Sequence, residues 1–382
     1  MSATTSDPTT GTQRPGLISG ALLLCFACTV GANSGFFLLL SVVPLYAGAT
    51  GAGLATGSLM FAVVAGELIT TPLVTRFGYR AVLGAGLVLM GAPALVLTMS
   101  ANLAWIAAVC VVRGIGFAFT VVAGGALTAL LIPAQRRGEG LAVSGVIAGV
   151  PSILGLPIGV WLAGHAGYLV VAIAGGLVSL VAIVAAPWLP NRHAEGETQA
   201  GLGSGLRNPG VRRPAIVFAA TALGTGIVVT FLPLAVPSSM SAVVAVALFV
   251  QPAASTLARW AAGRFGDRHG PARLVLPSLL TCVAGLALIA LTGNAFAVIA
   301  GVAVFGIGFG VAQNATLSLM FSRVPRSGYG TVSALWNVGY DGGMGVGALG
   351  FGAIAAATGY PLAFLGSAVL LLTAVLPALR SR

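Results

Sequence analysis

The chain has 382 residues, of which 58% are hydrophobic and 7% charged, and its formal net charge is +11. Mean hydropathy is +1.03, far outside the range of water-soluble domains, so the composition describes an integral membrane protein. Net positive charge of this size would suggest nucleic acid in a soluble protein, but the placement of the charges, given below, excludes that reading.

The first 15 residues, MSATTSDPTTGTQRP, are polar, and 1–16 is expected to be a disordered cytoplasmic tail. A secretory signal peptide is not expected, because the next apolar run is too long and eleven more follow it. Stretches of about 20 apolar residues, enough to cross roughly 30 Å of hydrocarbon, mark transmembrane helices. Twelve lie near 17–46, 52–74, 81–99, 103–133, 141–164, 167–189, 214–236, 239–262, 274–292, 295–321, 330–357 and 360–379. The expected fold is therefore an all-α membrane protein with twelve transmembrane helices in two pseudo-symmetric six-helix bundles.

A polar, glycine-rich interruption divides these spans six and six. The expected organisation is an N-terminal bundle over 17–190, a cytoplasmic linker over 191–213 and a C-terminal bundle over 214–382. GIGF occurs at 114–117 and again at 306–309, a separation of 192 residues, in spans four and ten. The turns RRGEG (136–140) and RSGYG (326–330) align their glycines at a separation of 190. Such a duplication places a ligand between the halves, near the bilayer midplane.

All 18 basic residues are arginines, and 17 of them fall in the tails, in alternate connections or at the helix ends beside those connections. The opposite connections (AGATGAG, SANL, HAG, SS, TGN, TGY) contain no Arg, Asp or Glu. This asymmetry places both termini in the cytoplasm of a multi-pass plasma-membrane protein, here a bacterial inner membrane. The four cysteines, Cys25, Cys28, Cys110 and Cys282, lie inside spans and read as small hydrophobes, with no disulfide and no metal site expected.

Residues 263–273, GRFGDRHGPAR, run Gly, any, hydrophobic, small, Asp, Arg, any, Gly, then a base. Gly263, Phe265, Gly266, Asp267, Arg268, Gly270 and Arg273 fit this pattern, which resembles the loop signature of the major facilitator superfamily. The loop between spans two and three, TPLVTRFGYR, keeps Leu73, Arg76, Gly78 and Arg80 but has Thr75 where the family has Asp. The resemblance implies that these loops hold a cytoplasmic gate shut in the outward-facing state, with Arg76, Gly78, Gly263, Asp267 and Arg268 as gating residues. Ordinary topology-setting loops would explain the arginines but not the glycine and aspartate spacing. Arg113, before Gly114 and Gly116, resembles the family's membrane arginine, which is linked to proton coupling. GVIAGVPSILGLPIG in span five resembles the Gly-Pro motif of the family's antiporters, although small residues in any helix contact give the same look.

Three charges approach the midplane. Counted at 1.5 Å per residue, Glu67 lies about 12 Å from the cytoplasmic end of span two, Arg113 about 15 Å from the outer end of span four and Asp341 about 16 Å from the inner end of span eleven. A charge there costs roughly 2.5–3.5 kcal/mol on insertion scales, so each is expected to face a partner or a wet cavity. Glu67 and Arg113 share a half and can form an ion pair. Asp341 has no intramembrane base in its own half, and desolvation penalises the charged form of such an acid, suiting it to proton exchange. The expected proton-coupling residues are Asp341, Glu67 and Arg113. The resemblance places spans one, four, seven and ten around the pathway. Candidates for substrate contact are Asn33, Phe36, Phe37, Gln251, Asn314, Trp336, Asn337 and Tyr340, with Ser34 and Gln313 beside them; helix packing is the alternative role for each.

The leading expectation is a proton-coupled exporter of small amphipathic organic molecules, such as a drug or secondary metabolite. The alternatives are a proton symporter importing a sugar, organic acid or other nutrient, and a non-transporting membrane sensor. No paired histidine ligands, nucleophile motif or phosphate loop is present, so neither an enzyme nor direct drive by ATP is expected. No cofactor is expected; the partners are a small-molecule substrate, protons and the lipid bilayer, with no nucleic acid, and the chain is expected to be a monomer.

Overall fold

The computed structural model describes residues 19–133, 136–193, 202–325 and 328–381. The expected tail at 1–16, residues 194–201 of the linker, and Arg326 and Ser327 of the second arginine-rich turn lie outside the described residues. The helices in order are α1 (Gly20–Leu40), α2 (Val42–Leu95), α3 (Leu103–Leu131), α4 (Arg137–Ala166), α5 (Tyr168–Val181), α6 (Leu202–Arg207), α7 (Pro209–Ala235), α8 (Ser241–His269), α9 (Ala272–Ile289), α10 (Ala295–Ser322), α11 (Tyr329–Thr358), α12 (Tyr360–Leu371) and α13 (Val375–Leu379). Helix is the only regular structure among the described residues, as hydrocarbon requires of any segment that must satisfy its own backbone.

Ten of these segments are long and apolar enough to cross a membrane, and two further observations bring the crossings to twelve. First, α2 is broken at Gly48 (φ 70°) and Gly78 (φ 82°), so it carries two crossings after completing the first. Positive φ is open to glycine at little steric penalty, which is why the chain reverses there. Second, α11 spans 30 residues, but Asn337, Asp341 and its many glycines depress its apolarity. Some boundaries differ from expectation, as at α8, which runs on to His269. The seventh crossing begins at Pro209 rather than 214, because Asn208 caps it through Gly210 N (2.9 Å) and Pro209 occupies the first turn.

The two bundles repeat one another with an offset of 192 residues, at the level of atoms as well as sequence. Asn102 caps α3 through Ala104 N, and Asn294 caps α10 through Ala297 N. Gly78 pairs with Gly270 and Gly167 with Gly359, all four at positive φ. A Cβ on Gly116 would stand 2.7 Å from both Gly86 O and Met90 N; a Cβ on Gly308 would stand 2.8 Å from Ser278 O and 2.7 Å from Cys282 N. Those neighbours are related by the same offset. Close backbone approach at the GIGF segments is therefore what locks α3 and α10 into their bundles.

The halves meet along two seams, α2 against α11 and α4 against α8. At the end opposite the arginine-rich turns, Ser41 Oγ donates to Val229 O (2.8 Å) and Thr230 Oγ1 to Thr56 Oγ1 (2.9 Å), and Gly53 lies against the backbone of Ala348. The molecule is closed at that end.

Gly116→Leu and Gly308→Leu should each destabilise the purified protein by about 1–3 kcal/mol through overpacking, with similar drops in melting temperature. Gly366→Leu, at a position with no neighbouring atom within 4 Å, should change it little. A large effect at one GIGF copy alone would contradict the equivalence of the two halves.

Candidate functional site

The α2–α11 seam is built from two small-residue stripes. On α2, Gly53, Gly57 and Met60 recur at helical spacing and meet Ala348, Leu349 and Gly345 of α11, which runs antiparallel. Continuing the α2 stripe by two turns reaches Glu67; continuing the α11 stripe back by four residues reaches Asp341. The register of the glycine contacts thus places both acids along the seam between the halves. Glu67 is half-buried and Asp341 is 7% exposed.

The expected pairing of Glu67 with Arg113 is not formed. Gly66 faces Ala118 and Ile115 of α3, so Glu67 is turned away from α3 and lies level with Ala118, about 7–8 Å along the helix from Arg113. Arg113 points toward α1, where its Nη2 donates to Gly35 O at 3.3 Å; its Nε and Nη1 have no partner, and the side chain is 1% exposed.

A further charged group lies on α8 in the C-terminal half. Arg259 of α8 is exposed, and its Nη1 donates to Gln313 Oε1 of α10 at 3.3 Å. Sequence reasoning placed Arg259 at an inner helix end and found no base near Asp341. The signal was available, because 67 plus the repeat of 192 is 259: Arg259 is the counterpart of Glu67.

Aromatic rings line both halves. Phe36 stacks on Phe117 at 3.6 Å, with Phe37 edge-on to Phe36. Phe218 stacks on Trp336 at 4.3 Å, and Tyr340 lies nearly parallel to Phe218 and Phe309 at 6.0 Å from each. Phe36 is 4% exposed, so it contributes to packing, and Phe37 backs onto Gly155 of α4. Asn33 donates to Ala148 O (3.2 Å) and lines a cavity of about 270 Å³ with Thr29, Thr120, Thr128 and Ser144. Gln251 is buried, its carbonyl pressed against Gly306. Asn314 lies beside Gly263, whose missing side chain leaves it room, and Asn337 is half-buried on α11.

The expected gating residues lie apart from this seam. Gly78 packs on residues 191–193 of its own half, with Tyr79 N donating to Arg192 O at 2.9 Å. Arg76 is exposed with its guanidinium over Phe77, and Asp267 and Arg268 lie on the last turn of α8, away from the α2–α11 contacts.

The family model of the Major Facilitator Superfamily matches residues 22–348 and 262–381. The chain belongs to the major facilitator superfamily. It is thus a multi-pass membrane transporter by family, and members bind small-molecule substrates. The fold agrees with solved transporters at low identity. It superposes on the nucleoside transporter NupG with a TM-score of 0.78 at 13% identity, covering 95% of this chain and 99% of that one. A single-residue mutant of NupG gives 0.78 at 12% identity, covering 95% and 100%. A bacterial homologue of the human lysosomal transporter Spinster, in an inward-facing and unoccupied conformation, gives 0.72 at 14% identity, covering 94% and 95%. No curated protein sequence matches the chain.

The double variant Thr56→Cys, Thr230→Cys should form a disulfide on mild oxidation, because the two hydroxyl oxygens it replaces are 2.9 Å apart. With a protease site placed in the linker, the cleaved halves should migrate together on a non-reducing gel and separate on reduction. Absence of the cross-linked band would contradict closure at this end.

Proposed function

We propose that the chain is a proton-coupled exporter of small amphipathic organic molecules, working by alternating access. The observation that carries this reading is the placement of Glu67 and Asp341 along the α2–α11 seam, which must open and close when the halves rock. Two carboxylates on one seam at low dielectric are a poor place for two negative charges, so one proton shared between them is stabilised. Separating the halves removes that mutual repulsion and lets water reach each acid, so the affinity of the pair for a proton follows the conformation. Closure at the end opposite the arginines, with Glu67 half-buried, supports access to the pair from the arginine-rich side.

In this reading both termini are cytoplasmic, the bundles span 17–190 and 214–382, and the chain works as a monomer in the plasma membrane. Asn33, Phe37, Gln251, Asn314, Trp336, Asn337 and Tyr340 contact substrate, and Phe36 shapes the wall behind them. Arg113 ties α1 to α3 beside the pathway and tunes the coupling. Arg76, Gly78, Gly263, Asp267 and Arg268 close the arginine-rich end in the opposite state.

Asp341→Asn should abolish proton-driven accumulation in vesicles of defined orientation while leaving folded protein in the membrane, and Glu67→Gln should lower it at least about tenfold. Undiminished gradient-driven transport by Asp341→Asn would refute the coupling role. The direction of substrate movement relative to protons separates the exporter from the symporter.

A further inference from the structure

A groove lies on the arginine-rich side of the N-terminal half, beside the turn at Gly78. The third crossing starts at this turn and the sixth ends in the 3-10 segment Ala182–Trp188, so both walls reach the membrane boundary here. On α2, Ala81, Gly84 and Ala85 recur at helical spacing and present almost no side chain. Ala186 and Pro187 form the facing wall, and the space enclosed is about 500 Å³. A Cβ on Gly84 would meet only Ala186 Cβ, at 3.8 Å, so the two walls stand apart. The repeat of 192 places Leu276 and Pro277 where this half has Gly84 and Ala85, and Ala272 where it has Arg80. The small residues and the arginine therefore belong to this half alone.

The two ends of the groove differ in chemistry. Phe77, Arg80 and Asn191 line it at the boundary, and Ala85 lies about 7–8 Å further along the helix than Arg80, at 1.5 Å per residue. The guanidinium of Arg76 lies over the Phe77 ring, 5.1 Å from its centre. Arg76 and Arg80 are both exposed, and among the described residues neither has a carboxylate within ion-pair distance. Trp188, 76% exposed, stands three residues before Asn191, as amphipathic rings do at a membrane boundary. Unbalanced positive charge at the boundary above an apolar slot fits an amphiphile with an acidic headgroup. A soluble anion would use the arginines and leave the slot empty. A zwitterionic lipid would bring a cation that meets no acid here.

We propose that this groove, between the start of the third crossing and the end of the sixth, binds an anionic phospholipid. Arg80 and Arg76 take the phosphate, and one acyl chain lies along Ala81, Gly84 and Ala85. The guanidinium fork suits phosphate oxygens, and the missing side chains leave room for a hydrocarbon chain. The site lies apart from the α2–α11 seam and does not rest on the transport reading.

The test is lipid binding to the purified, full-length protein in detergent, titrated and read by native mass spectrometry at the first binding step. Dioleoyl phosphatidylglycerol, dioleoyl phosphatidylcholine and inorganic phosphate are the probes. Wild type should bind phosphatidylglycerol at least about fivefold more tightly than phosphatidylcholine, and inorganic phosphate should not displace it. Arg80→Gln should weaken phosphatidylglycerol binding about fivefold, the worth of one arginine beside an anionic headgroup, and leave phosphatidylcholine unchanged. Gly84→Leu, which fills the slot, should weaken binding of both lipids, and it carries the test if Arg80→Gln does not fold. Arg212→Gln, which removes an exposed charge from α7 in the other half, should leave phosphatidylglycerol binding unchanged. Equal affinity of wild type for the two lipids, unchanged phosphatidylglycerol binding in Arg80→Gln or Gly84→Leu, an equal loss in Arg212→Gln, or displacement by inorganic phosphate would each overturn the proposal. The assay uses no substrate and no gradient, so its outcome is separate from that of the Asp341 experiment.

Discussion

Close backbone contact between helices, made possible by missing side chains, is the constraint on which the rest of this structure depends. Lipid offers helices no hydrophobic reason to associate, so association requires van der Waals fit and hydrogen bonding. Here Gly53 and Gly345 supply the fit at the seam between the halves, while Gly116 and Gly308 supply it inside them. The seam contacts also set a register, and the register decides which residues meet further along the same stripes. Glu67 and Asp341 lie along one seam because small residues spaced along both helices fix how α2 lies on α11.

The duplication accounts for most of the architecture and isolates what is specific to this chain. Where the halves agree, as at Asn102 and Asn294 or Gly167 and Gly359, the shared feature is a cap or a turn that any copy of the bundle needs. Where they disagree, the local backbone is the same and only the chemistry differs. Glu67 and Arg259 disagree in sign while occupying equivalent positions. The duplication thus carries an acid on α2 and a base on α8 at equivalent positions, a difference in charge that a symmetric duplication would lack.

The crossings and their number were legible from apolar length alone, because a span has a fixed physical length and α11 was recognisable despite its polar residues. The repeat was legible from GIGF. The loop signature at 263–273 pointed to the family that the family model then matched over most of the chain. Side-chain partners were not legible. Depth along a helix can be counted, but rotation about its axis has to be known as well, and Gly66 facing α3 turns Glu67 away from Arg113. Applying the repeat to Glu67 would have exposed Arg259; treating arginines only as topology markers hid it. The stack of Phe36 on Phe117, and its burial, could not be read from residue type.

Arg113 illustrates how the duplication separates packing from chemistry. Its counterpart is Phe305, fully buried against Gly224 and Gly285. The C-terminal half therefore fills the equivalent place with a ring, and its bundle closes around an apolar side chain of comparable bulk. In the N-terminal half the same place holds a guanidinium that makes one hydrogen bond and leaves two donor atoms unpartnered. Desolvating a charge in this way is unfavourable, and a well-packed apolar residue commonly does as well or better for stability. Phe305 provides the apolar solution in the same molecule. Packing thus explains why the position is filled and not why it is charged.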